Sequence, residues 1–418
     1  MDCCAQLGLL PVEDALLRMQ QQLIPVQETE WVDVALALDR VLAEAVLASI
    51  NVPASDNSAM DGYALRGADA QTDGALFEVI GQSLAGHPFC FAAQQGAASA
   101  LGSMQAVRIM TGAMIPAGAD TVVMQENVTR TGETLQLNTA VVTGDNIRRA
   151  GEDIKIGSEI LSQGHRISAL DIGLLASLGI ARVKVWRKLR IAVLSTGDEL
   201  LPPGAPHNAD KIYDSNRPLL CALLQRLAVE VKDVGIVADD LPALRTAFTQ
   251  AMQWADLVIS SGGVSVGDAD YTKAVLAELG EIDFWKIAMK PGKPFAFGRL
   301  GAGWFVGLPG NPVSTAVTYH QLVVPAVRYL AGEKTLELMQ LSAIAEQRLK
   351  KQPGRMDFQR GILINDQGVN RVVSAGSQSS GVLSSMAKAN CYIRLEAERG
   401  TVQPGETVTV IPFDKFIS

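Results

Sequence analysis

Nowhere in the chain do about 18 apolar residues follow one another without a charge, so no stretch reads as a membrane-spanning helix. The opening Met1-Asp2-Cys3-Cys4 lacks the basic start and apolar run of a secretory signal, which makes the cytoplasm the expected location. Cysteine is scarce: Cys3, Cys4, Cys90, Cys221 and Cys391 form an odd, scattered set without a Cys-x-x-Cys pair. That excludes a disulfide-stapled scaffold, supplies no cysteine zinc site and suits reduced thiols. The four histidines (His87, His165, His207, His320) are as dispersed, leaving little material for a histidine metal centre or a histidine-based triad. Positive charge is in deficit, with 36 Lys and Arg against 44 Asp and Glu and a net charge of −8. A broad basic surface for a nucleic-acid backbone is therefore excluded, and an anionic ligand must be met by a local positive patch.

What is present describes a folded, multidomain chain. The 418 residues are 48% hydrophobic and 19% charged, enough for roughly two to four domains. Apolar residues recur at helical spacing over 11–24 and again over 33–48, predicting two opening helices. From 51 to 150 short apolar runs alternate with glycine and proline turns, the texture of a small β-rich unit. A helical pattern returns at 168–178, with Ser168 placed to cap its start and Gly179 to end it. The β-rich unit is thus expected as an insertion, dividing the chain into 1–50 with 151–187, 51–150, 188–335 and 336–418. Between 188 and 335 apolar strands (Ile191–Leu194, 229–237, 257–259) alternate with helical patterns (218–228, 241–254, 271–279, and one beginning at Pro312), which predicts a mostly parallel sheet covered on both faces. Short strand patterns in the tail (357–363, 391–395, 408–412) predict a small β-barrel. The expected fold class is multidomain α/β: a three-layer α/β centre, an inserted β-rich unit, a helical, elongated N-terminal unit and a C-terminal barrel.

Ligands of open parallel sheets bind beyond the carboxyl ends of the strands, which directs attention to three loops. Ile191–Leu194 runs into Ser195-Thr196-Gly197-Asp198-Glu199. The strand at 257–259 runs into Ser260-Ser261-Gly262-Gly263-Val264-Ser265-Val266-Gly267-Asp268-Ala269-Asp270, a glycine-rich loop whose N–H groups can approach an anion. It matches neither Gly-x-Gly-x-x-Gly nor a Walker loop, so dinucleotide or P-loop nucleotide binding is not supported. The third, Lys286 to Phe295, carries Lys286, Lys290 and Lys293 between prolines. Read as an extended segment, it puts Lys286 and Lys290 on one face as the positive patch. Carboxylates near these loops (Asp61, Asp153, Glu199, Asp239, Asp268, Asp270) suit Mg²⁺ bridging a phosphate-bearing substrate.

Taken together, Asp56–Tyr63 (DNSAMDGY), Gly151–Asp153 (GED), Thr196–Leu200 (TGDEL), Tyr213–Asn216 (YDSN), Ser260–Gly267 (SSGGVSVG) with Asp270, Lys290–Phe295 (KPGKPF) and Gly307–Ser314 (GLPGNPVS) resemble, in order and spacing over the whole chain, the molybdopterin molybdenumtransferases, relatives of the E domain of gephyrin. The resemblance implies Mg²⁺-dependent insertion of molybdate into adenylylated molybdopterin with release of AMP, the last step of molybdenum cofactor synthesis. It also implies an elongated homodimer of four subdomains, the third resembling molybdopterin adenylyltransferase, with the active site between the third subdomain of one protomer and the inserted region of the other. Carried over position by position, it makes Asp61, Asp153, Glu199, Asp239, Asp270, Lys286 and Lys290 the catalytic set. Thr111, Arg148, Ser261, Gly262, Gly263, Ser265, Pro309, Pro312 and Ser380 become substrate contacts, and Glu199 and Asp61 the Mg²⁺ ligands. A transient complex with the adenylyltransferase and with molybdoenzyme maturation factors is implied in turn, with no role for nucleic acid or membrane. A stand-alone adenylyltransferase would need only the third unit, and a scaffold would not need Glu199 or Asp270.

Overall fold

A computed structural model of the chain describes residues 8–91, 99–263, 271–335 and 338–417. At its centre is a six-stranded sheet in the order Glu230–Val237, Arg190–Thr196, Leu257–Ser261, Gly303–Leu308, Pro294–Leu300, Gly280–Lys286. The first four strands are parallel and the last two run antiparallel to their neighbours. Alternation of side chains along each strand divides the core in two. Ile191 and Val193 face a layer formed by the helices Val12–Gln22, Asn216–Gln225 and Val324–Leu330. Ala192 and Leu194 face Leu244, Phe248, Val275 and Leu276 of Leu241–Met252 and Tyr271–Leu279. Both faces are covered, as a parallel sheet requires.

The N-terminal part departs from expectation. Val12–Gln22 is helical, and it buries Val12, Ala15 and Met19 in the central core. The second expected helix, over 33–48, does not form: the chain makes the strand Thr29–Asp33, a single 3₁₀ turn at Val34–Leu36 and the short strand Val46–Leu47. Asp39 has φ +62°, a left-handed conformation that no helix interior accommodates. The apolar spacing is used instead by a small core in which Val34, Ala37 and Leu42 meet Leu161, Ile167, Leu175 and Val183. The N-terminal unit is therefore a set of ribbons, Thr29–Asp33 pairing with Arg182–Trp186 and Val46–Leu47 with Glu159–Leu161, around the helix Ala169–Ser177. That helix begins in a capping box between Ser168 and Asp171. It ends at Gly179, where the Ile180 N–H reaches the Leu175 carbonyl and the Gly179 N–H that of Ala176.

Between these ribbons lies a six-stranded sheet in the order Thr121–Met124, Gly62–Leu65, Gln105–Ile109, Leu76–Ser83, Thr134–Leu137, Val128–Thr131. Downstream, Met356–Asp366, Val369–Ser374, Leu341–Ala345, Thr407–Pro412 and Cys391–Leu395 pair in that order, and the last returns to the first, closing a five-stranded barrel. Met289–Lys290 adds a short parallel strand to it. The barrel shares the central core through Met356, Phe358, Tyr392 and Ile411, joined by Phe416. The N-terminal unit is tied to the centre by Glu333, which accepts from Arg328 Nη2 at 2.6 Å and Arg166 Nε at 2.8 Å. Among the described residues no helix is long and apolar enough to cross a membrane.

Candidate functional site

Three parallel strands end side by side at Thr196, Ser261 and Leu308, and beyond them opens a cleft of about 750 Å³. The first strand end contributes Ser195, Thr196 and Glu199, the second Ser261, Gly262 and Gly263, and the third Pro309, Gly310, Asn311 and Pro312. Gly381 and Leu383, from the segment between two barrel strands, close one side. The glycines are obligatory here. Gly262 has φ +92° and a Cβ on it would stand 2.6 Å from the Thr196 carbonyl oxygen, while Gly263 has φ +67° and its Cβ would stand 2.4 Å from Thr272 Oγ1. Only a residue without a side chain lets the second loop lie against the first.

Beneath the loops is a polar floor built from Tyr213–Asn216, a stretch the sequence reading used for its resemblance but did not place in the site. Buried Asp214 accepts from Ser195 Oγ at 3.2 Å and from Arg217 Nε at 3.0 Å. Asn216 Nδ2 donates to Ser261 Oγ at 2.8 Å and to the Gly310 carbonyl at 2.7 Å, joining two of the three loops. The usable signal was Asp-Ser-Asn directly before an apolar helical pattern, since such residues gather at helix starts and this helix starts at the cleft.

Glu199 stands at the edge of the cleft with acidic neighbours. Burial, then the charges of Asp198, Glu199 and Asp240, push the Asp239 carboxyl above its ordinary range. Like charges held this close favour a cation. Among the described residues no three His, Cys, Asp or Glu side chains converge to hold a metal unaided. The donor set fits Mg²⁺, which binds through one or two carboxylates and keeps waters or substrate oxygens. Asp239→Asn removes one crowded charge. Because a raised carboxyl pKa makes the ionised form unfavourable above it, the variant is expected to melt at a higher temperature than the parent at pH 7 and at the same temperature near pH 3. A lower melting temperature at pH 7 would contradict the crowding.

The other expected residues lie elsewhere in the chain. Thr111 donates to Asp61 Oδ1 through both its N–H and its Oγ1, at 2.8 Å each. The backbone bond first, then the hydroxyl, hold the Asp61 carboxyl below the usual range. Arg148 lies in Ile147–Arg148, paired with Asn57–Ser58, and the neighbouring Arg149 reaches Asp56 at 2.7 Å. Asp153 is exposed, and its N–H donates to the Val52 carbonyl. None of these lines the cleft of its own chain. Lys286 and Lys290 do not meet in one patch, contrary to the extended reading: although Ile287 and Met289 both turn into the core, the two lysines line different cavities. Lys286 lines a cavity with Leu10, Arg18 and Trp285. Lys290 lines another with Arg348, Lys350, Lys351 and Arg355, and lies 3.7 Å from Asp357. The Ser380 carbonyl accepts the Val313 N–H, one residue past Pro312. Ser265 and Asp270 fall outside the described residues.

Family models match almost the whole chain: the MoeA N-terminal region (domain I and II) over 10–179, a probable molybdopterin binding domain over 192–329 and the MoeA C-terminal region (domain IV) over 342–413. The molybdopterin molybdenumtransferase of Haemophilus influenzae is 49% identical over 412 residues, covering 98% of this chain and all of that one. The chain belongs to the molybdopterin molybdenumtransferase family. It is a transferase by that membership. The molybdopterin molybdenumtransferase of Nostoc sp. is 36% identical across 92% of this chain and 89% of its own. Among solved structures, a molybdopterin biosynthesis moeA protein from Pyrococcus horikoshii superposes with a TM-score of 0.83 at 27% identity, covering 97% of this chain and 100% of that one. The molybdopterin molybdenumtransferase resemblance read from the motifs is thus borne out along the chain.

Proposed function

We propose that the protein catalyses the final step of molybdenum cofactor synthesis, inserting molybdate into adenylylated molybdopterin with release of AMP. The observation that carries this reading is the cleft itself, where hydroxyls and side-chain-free glycines from adjacent strand ends meet Glu199. Such a surface suits a ligand with both a ring system and phosphate oxygens. Glu199, with Asp61 of a second copy of the chain, would hold Mg²⁺, which when bound offsets phosphate charge. Gly262 and Gly263 line the cleft without a covering side chain, the Gly262 N–H being held by the Leu308 carbonyl, and the Ser261 hydroxyl, held by Asn216, belongs to the same wall. Lys286 and Lys290, each in a cavity of its own outside the cleft, would draw the oxyanion through their charge rather than by contact.

Asp61, Thr111, Arg148 and Asp153 complete the site from a second copy of the chain. In that homodimer the inserted unit of one protomer faces the cleft of the other, and the preceding adenylyltransferase docks transiently to hand over its product. The deciding experiment is AMP release from adenylylated molybdopterin by the purified protein, followed chromatographically with molybdate and Mg²⁺ each present or withheld. Release that needs both is expected. Equal release without molybdate would sink the insertion reading.

A further inference from the structure

We infer that Asn216 is a specificity-determining residue: its carboxamide oxygen accepts a hydrogen bond from the exocyclic amino group of a flat heterocycle bound in the cleft. The inference rests on the assignment of that cleft to substrate and adds which atom of the protein reads the ring. Asn216 is 8% exposed and lines the cleft. The orientation of its amide is decided by chemistry. The Gly310 carbonyl, 2.7 Å away, can only accept, so the group facing it must be Nδ2; the flipped amide would bring two oxygens together. Nδ2 also donates to Ser261 Oγ. Oδ1 is thereby left buried with no hydrogen-bond partner among the described residues.

A buried acceptor without a donor is costly, and such atoms are rare in folded proteins unless something completes them. The neighbouring carboxylate of Asp214 does not compete for a ligand donor, because Ser195 Oγ and the Arg217 N–H and Nε already occupy it. What remains is a neutral oxygen, suited to an uncharged amine rather than an ammonium group. Pro294, Pro309 and Pro312, with the side-chain-free Gly262 and Gly263, line the same space as Asn216, rigid surfaces that suit a planar ring. Both halves of an adenylylated pterin offer this chemistry, since pterin and adenine each carry an exocyclic amine.

Calorimetric titration of the full-length protein separates the cases. The probes are 6-hydroxymethylpterin against its 2-deamino analogue, and AMP against purine riboside 5′-monophosphate, pairs that differ by the amine alone. The wild type is expected to prefer the amine-bearing member of one pair by about tenfold, and that pair names the ring that reaches Asn216. In Asn216→Ala, and in Asn216→Ser, which retains a hydroxyl donor for Gly310, the ratio is expected to fall close to one whatever happens to absolute affinity. A role confined to bracing the loops would lower both affinities and leave the ratio unchanged. Equal binding of both members by the wild type overturns the inference without touching the proposed reaction, as does a preference that survives both substitutions. Failure of both heterocycles to bind the wild type overturns the assignment of the cleft, and this inference with it.

Discussion

Glu333→Ala is expected to cost about 3–5 kcal/mol of stability, the range for removing one partner from a buried ionic group. The loss comes from what is left behind rather than from the contact removed. Arg166 and Arg328 both direct guanidinium groups at Glu333, and the side chains of all three are less than one-tenth exposed. Phe416 covers the assembly, its ring centroid 5.1 Å from Arg328 Cζ and 5.9 Å from Arg166 Cζ. Taking away the carboxylate leaves two cations out of water with one less acceptor, at the seam where the N-terminal ribbons meet the central helices. Glu333→Gln keeps the volume and an acceptor oxygen and is expected to cost less. Burial alone would raise the Glu333 pKa, but hydrogen bonds from Arg328 and the charges of Arg166 and Arg328 hold it below the usual range. A depressed carboxyl stabilises the fold above its unfolded value, near 4.3, and stops doing so as pH falls through the folded value. The gap in melting temperature between parent and Glu333→Ala should therefore be widest near neutrality and shrink below pH 4. A variant that melts with the parent at pH 7 would show that the group contributes nothing to holding the units together.

Gly262→Ala is expected to cost about 2–4 kcal/mol, combining a left-handed backbone with a contact too short to keep, and to weaken ligand binding by tenfold or more. The two contributions can be parted. Gly204 has φ +91°, nearly the same as Gly262, yet a Cβ there meets nothing within 4 Å. Gly204→Ala thus reports the backbone cost alone, and the excess in Gly262→Ala measures the clash with the Thr196 carbonyl. Relief of that clash requires the second loop to move away from the first, which widens the cleft where the Ser261 hydroxyl is held. Denaturant unfolding of the two variants gives the energies, and AMP titration gives the consequence for the site. Equal losses in both variants would mean that the loops part without effort and that their close approach does not shape the cleft.

The central unit was legible because its interior strands are buried on both faces. Runs such as Ile191–Leu194 and 257–259 are continuously apolar, and the helices between them carry single apolar faces. The helix at Ala169–Ser177 announced both ends through Ser168 and Gly179. The expected helix at 33–48 failed for the opposite reason: a few apolar residues at intervals of three or four suit a small irregular core as well as a helix face, and nothing local in the sequence declares the backbone of Asp39. Gly280–Lys286 and Pro294–Leu300 are masked in the sequence by the lysines and prolines between them, although Ile282 alternates with acidic residues as a strand does. Glu199, Ser261, Gly262, Gly263, Pro309 and Pro312 meet at one cleft because loops after neighbouring parallel strands must emerge together. The separation of Lys286 from Lys290 was not readable, since it depends on Met289–Lys290 joining the barrel, a pairing between segments more than sixty residues apart in the chain.

That shared core also sets a timetable for synthesis. The central sheet and its helices are complete once Leu330 has been made, yet Met356, Phe358, Tyr392, Ile411 and Phe416 fill the same interior. At roughly 5–20 residues per second on the ribosome, an apolar surface on the nascent chain waits several seconds for its cover. During that interval the uncovered surface is open to aggregation, and a pause in translation over the barrel codons would lengthen the exposure.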